Sequence, residues 1–155
     1  MAQRALHALR RPGLAYRRIV VPLDTSEESE AAMALAAELA DEHGTSIEVV
    51  VAIELPPQLP LEAHMLEEEA AARRVLEDAR AIAGSCGLRV RTRVVRARQA
   101  GEAIVAAAEE VDADLIVMNA PRKTRLGRRA SIFGRTVRHV LHHAPCRVLV
   151  ATTPL

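Results

Sequence analysis

Ala113-Asp114-Leu115-Ile116-Val117-Met118, a basic loop through Gly127 and Gly134, and Cys146-Arg147-Val148-Leu149-Val150 form the stretch that decides the fold. It reads as a buried strand, a turn, a short helix carrying Thr136, Val137, Val140 and Leu141, and a second buried strand. Two aliphatic strands joined through a helix are a parallel pair, because only a crossover connection returns the chain to the same direction. In an open α/β sheet, ligands bind outside the carboxyl ends of the strands, so the loop after Met118 is the first candidate for a site.

Moving outward, the same alternation recurs. Arg18-Ile19-Val20-Val21-Pro22-Leu23-Asp24 is an aliphatic run ending in Pro and Asp, as expected of a central strand entering a ligand-side loop. Thr25-Ser26-Glu27-Glu28 has the hydroxyl-to-Glu spacing of a capping box, and Ala32, Leu35, Ala36 and Leu39 repeat at helical spacing until Gly44. Ile47 to Ile53 is the next strand, Pro56, Pro57 and Pro60 hold a connection extended, and Leu61 to Ala83 is helical before Gly84. Leu88 to Val95 alternates Val90, Thr92 and Val94 with Arg89, Arg91 and Arg93, which predicts an edge strand with one wet face. Glu102 to Val111 is an Ala-rich helix able to approach a sheet closely. Strands alternating with helices, with no repeat and no long linker, predict one domain over 18–152 built on a parallel sheet with helices on both faces.

Composition bounds the function. The 155 residues are half hydrophobic but contain one Phe, one Tyr and no Trp, so the core is aliphatic and base stacking is nearly unavailable. No nucleic-acid partner is expected. Every Asp and Glu lies between Asp24 and Asp114, which leaves both ends rich in Arg under a net charge of only +1. Cys86 and Cys146 have no metal-like spacing and make no disulfide framework, which fits a reducing cytoplasm. No apolar run approaches the ~18–20 residues of a spanning helix. Residues 1–17 read as a basic tail around Leu6, Leu9 and Leu14 without the apolar core of a secretory signal; the alternative is a juxtamembrane segment.

Several chemistries are excluded by what the loops lack. Pro22-Leu23-Asp24-Thr25-Ser26 has no Gly for a dinucleotide cradle, and the single Lys, Lys123, follows Arg122 rather than the Gly of a P-loop. No nucleophile elbow is present. A phospho-accepting receiver would need an acidic pair and a later Asp where this chain has a lone Asp24 and Arg96. His139, His142 and His143 share helical spacing without an accompanying carboxylate or Cys, so no metal is predicted and they read as solvated or cap-related side chains. Cys146 reads as a small buried residue.

Arg18-Ile-Val-Val-Pro-Leu-Asp24-Thr-Ser26, Ala113-Asp-Leu-Ile-Val-Met118, and Gly134 through Val140-Leu141-His-His143-Ala-Pro145-Cys146-Arg-Val-Leu-Val150 together resemble the universal stress protein family across 17–152. The resemblance implies an open five-stranded parallel sheet of order 3-2-1-4-5, a Rossmann-like, adenine nucleotide alpha hydrolase-like fold. It implies a homodimer that pairs the C-terminal strands and, in one branch, binding of ATP, AMP or a cyclic dinucleotide. Carried onto this chain, the nucleotide contacts would fall on Pro22, Leu23, Asp24, Ile53, Met118, Asn119, Arg122, Gly127, Gly134, Arg135 and Thr136.

The chain also departs from the ATP-binding pattern of that family. Asn119-Ala120-Pro121-Arg122 replaces the first two glycines of the phosphate loop, and Arg135 follows Gly134 where a Ser or Thr is usual. Thr136 is offset by one position. Arg122, Lys123, Arg125, Arg128, Arg129, Arg135 and Arg138 supply seven cations with no acid among them, a set that suits charge-assisted phosphate binding. A non-enzymatic stress-response or regulatory module that senses an adenine nucleotide is the expected function. The alternative is a non-ATP-binding regulatory domain of, or partner for, a membrane transporter, located on its cytoplasmic face. Weak ATP hydrolysis ranks last, because Asp24 is the single evident carboxylate for Mg²⁺.

Overall fold

The computed structural model describes residues 16–24, 29–40, 44–120 and 134–152. Most of the basic tail, the Thr25–Glu28 capping box, and the loop holding Arg122 and Gly127 lie outside the described residues. Strands β1 (Arg18–Leu23), β2 (Ser46–Glu54), β3 (Val90–Ala97), β4 (Leu115–Ala120) and β5 (Arg147–Thr152) form one sheet in the order β3-β2-β1-β4-β5. Each neighbouring pair is parallel. The helices are α1 (Ser29–Leu39), α2 (Leu66–Ser85), α3 (Ala100–Glu110) and α4 (Arg135–His143).

Successive residues of a strand point to opposite faces, and the aliphatic runs use both. Ile19, Val21 and Leu23 of β1, with Val49, Val51, Ile53, Leu115 and Val117, meet Ala32, Met33 and Ala36 of α1 and Ala72, Leu76 and Ala79 of α2. Val20, Val50, Ile116 and Met118 meet Ile104, Ala107 and Ala108 of α3 and Val137 and Val140 of α4 on the other face. Each fully buried Val, Leu or Ile contributes about 1.5–3 kcal/mol, so the three inner strands anchor the domain.

Several boundaries differ from the sequence expectation for identifiable reasons. The third strand starts at Val90 rather than Leu88, because Leu88 closes α2: its N–H donates to the Ala83 carbonyl at 2.9 Å and the Gly87 N–H to Gly84 at 3.1 Å. Gly87 sits at φ 73°, where a glycine is favoured, which completes a Schellman ending. Helix α2 starts at Leu66 rather than Leu61, since Pro56 and Pro60 each head a turn, accepting from the Leu59 and Ala63 N–H groups at 3.0 Å. Glu67, Glu68 and Glu69 then complement the helix dipole. The last strand is the outer strand of the sheet, as the expected order 3-2-1-4-5 places it, and is half-buried rather than fully buried. Leu141 on α4 is exposed, whereas Val137 and Val140 of the same helix are buried.

The amino end of the sheet is closed by Asp114. Its two carboxylate oxygens accept from the Arg17 and Arg18 backbone N–H groups at 2.8 and 3.0 Å, and its own N–H donates to the Arg18 carbonyl at 3.0 Å.

Candidate functional site

At the carboxyl end, β1 finishes with buried Pro22 and Leu23 and then exposed Asp24. β2 finishes with buried Ile53 and exposed Glu54, and β4 with buried Met118, half-buried Asn119 and buried Ala120. Asp24 and Asn119 both have polar or electrostatic partners. Helix α4 starts on the same side: Gly134 takes the N-cap position with an extended backbone, Arg135 is exposed, and Thr136 is half-buried. Among the described residues no side chain caps α4, whose first N–H groups have no partner within the helix.

Arg135 is placed by a residue that the sequence reading passed over. Its guanidinium donates to both carboxylate oxygens of Glu54, at 3.3 and 3.1 Å. One of those oxygens also accepts the Ala100 N–H at 2.9 Å, where Gln99 provides no side-chain cap for α3. Glu54 therefore ties the end of β2 to the starts of two helices. An acid closing an aliphatic run at the ligand end of a strand was the available signal, but its two partners lie far along the chain. The pair is open to water, with side chains 73% and 39% exposed for Arg135 and Glu54, so as a surface ion pair it contributes ~0–1 kcal/mol.

The two helices can lie this close because α3 carries Gly101. A Cβ there would stand 2.8 Å from the His139 Cβ and 2.9 Å from its ring. His139 is thus a packing residue. Its ring stacks on that of His143 at 4.2 Å between centroids, and His143 Nδ1 lies 2.9 Å from the His139 carbonyl. Among the described residues, no group of three or more His, Cys, Asp or Glu is placed to hold a metal. Cys146 is half-buried; burial first, and the negative Asp114 second, push its thiol pKa up, which disfavours the reactive thiolate.

The connection after β2 borders this end and is stapled to β3. The Leu55 N–H donates to the Ala97 carbonyl at 2.9 Å, and the Arg98 guanidinium to the Pro56 carbonyl at 2.6 Å. Arg96 donates to the buried Glu69 carboxylate at 2.6 Å, and His64 Nδ1 lies 3.2 Å from the same oxygen. The Arg96 hydrogen bond, helped by His64, holds the Glu69 carboxyl below its ordinary range. Of the sequence-predicted residues, the structure gathers Pro22, Leu23, Asp24, Ile53, Met118, Asn119, Gly134, Arg135 and Thr136 at one end of the sheet. Arg122 and Gly127 lie outside the described residues.

Comparison with known proteins places this geometry among relatives. The model of the "Universal stress protein family" matches residues 15–152. A universal stress protein of Methanocaldococcus jannaschii is 31% identical over 147 residues, covering 90% of this chain and 84% of its own. One of Synechocystis is 33% identical over 138 residues, covering 87% and 85%. A solved universal stress protein from Archaeoglobus fulgidus in complex with dAMP superposes with a TM-score of 0.67 at 26% identity, covering 87% of this chain and 97% of that one.

Proposed function

Because this chain belongs to the universal stress protein family, we propose that it is a homodimeric stress-response module whose state is set by an adenine nucleotide bound at the carboxyl end of the sheet. The observation that carries the reading is the start of α4, which has no side-chain cap among the described residues and stands at the carboxyl end of the sheet, where Arg135 next to Gly134 reaches Glu54 at the end of β2. A helix N-terminus of this kind receives an anion with favourable dipole and hydrogen bonding. In this reading, the apolar floor of Pro22, Leu23, Ile53 and Met118 takes the base, with Asp24 and Asn119 as polar contacts. The same reading assigns the phosphate contacts to Gly134, Arg135 and Thr136, together with Arg122 and Gly127, which the family resemblance adds. The relative that holds dAMP supports an adenine ligand. The role assigned is binding rather than catalysis, in the cytoplasm.

The dimer is assigned to β5, whose aliphatic outer edge is suited to a self-complementary contact. Calorimetric titration with AMP, ADP, ATP and cyclic nucleotides tests the ligand. Saturable heat with at least one is expected, and no heat with any of them at submillimolar protein removes the nucleotide role. A second reading, regulation of a membrane transporter, takes its support from the exposed Leu59, Leu61 and Leu66 near this end. None of the described helices is long and apolar enough to cross a membrane, so that reading requires a separate membrane protein or segment.

A further inference from the structure

The arginines at the carboxyl ends of β3 and at the start of α4 are already engaged. Arg96 is held by Glu69, Arg98 by the Pro56 carbonyl, and Arg135 by both oxygens of Glu54. Arg135 is the one that stands next to Gly134, where the nucleotide reading puts the phosphate. A polyphosphate tail arriving there meets a neutralised cation and the carboxylate that neutralises it. Each added phosphate charge increases the repulsion from Glu54, which also occupies the Arg135 guanidinium, whereas a single phosphate keeps to the α4 amides beside Gly134. Glu54 cannot swing away freely, since the same carboxylate caps α3 through the Ala100 N–H.

We infer that Glu54 sets the phosphate selectivity of this site: by holding Arg135 it favours nucleotides with one phosphate over those with two or three. The inference rests on the nucleotide reading above for its ligand but on the Glu54–Arg135 pair for its cause. Glu54→Gln separates the two roles of Glu54, because the amide oxygen still accepts the Ala100 N–H while the charge that pins Arg135 is gone. Arg135→Gln breaks the pair from the other side and leaves the α3 cap untouched, so it serves if Glu54→Gln fails to fold.

Wild type, both single variants and the double variant are titrated with AMP, ATP and tripolyphosphate in EDTA at fixed low ionic strength. Wild type is expected to bind AMP more tightly than ATP. Glu54→Gln should shift the ATP-to-AMP affinity ratio toward ATP by about three- to fivefold, the size a surface ion pair allows. It should strengthen tripolyphosphate binding similarly, and the double variant should lose both gains. Arg135→Gln alone should move the ratio further toward AMP. An unchanged ratio in Glu54→Gln, or a gain that survives removal of Arg135, overturns the inference while AMP binding keeps the nucleotide reading. If no variant binds an adenine nucleotide but tripolyphosphate shows the Arg135-dependent gain, the nucleotide reading falls and the role of Glu54 stands. If tripolyphosphate binding does not respond to Glu54→Gln either, the inference falls with it.

Discussion

The two outer strands of this sheet solve the same problem in opposite ways. β3 is lined with charge: Arg93 reaches Glu48 at 3.0 Å and Glu110 at 2.6 Å, and Arg96 reaches Glu69. β5 carries Val148, Leu149, Val150 and Ala151, all half-buried. A strand edge is a template for further pairing, and inward-held arginines make a poor one. The difference teaches that, among the described residues, charge covers the β3 side while the β5 side stays aliphatic, the side to which the proposed dimer is assigned.

The strongest way to break that contrast is Leu149→Pro, which removes a backbone donor from the middle of β5. The expected result by light scattering is monomer or insoluble protein from a dimeric wild type. An unchanged soluble dimer would move the interface elsewhere. On the β3 side, acid should act through Glu69. Its folded pKa lies below the ordinary 4.5, so its contribution is present above that value and lost as pH falls through the lower folded value. Thermal melting followed from neutral pH downward should show that decline, and Arg96→Gln should both lower the neutral melting temperature and flatten the acid limb. A limb identical in the two proteins would assign the decline to other carboxylates.

Smaller effects sharpen the comparison. Ala151→Lys places like charges near each other across a two-fold β5 contact and should raise the dimer dissociation constant by roughly two- to fivefold, as read by sedimentation. Val94→Lys, at a β3 position 37% exposed, adds one more cation to an already charged edge. It should leave both dimerisation and stability unchanged within about 0.5 kcal/mol by denaturant melting. Equal effects of the two lysines would mean that the edges do not differ in use.

What the linear chain determined by itself is the alternation of strands and helices and most of the residues that gather at one sheet end. Aliphatic runs such as Ile19–Val21 and Leu115–Met118 can be satisfied only by burial on both faces, so their periodicity is a property of composition and order. Family motifs supplied the strand order. The end points of elements were less legible. Whether Leu88 opens a strand or closes a helix depends on the backbone turn at Gly87, and the start of α2 on turns made by Pro56 and Pro60. Only the tertiary structure decided the partners of charged groups. Asp114 finds the amides of Arg17 and Arg18, and Glu54 finds Ala100 and Arg135, across separations that no local pattern encodes. The physical reason is that a carboxylate is soluble anywhere along an unfolded chain. Its role is selected when folding brings a donor within hydrogen-bond reach.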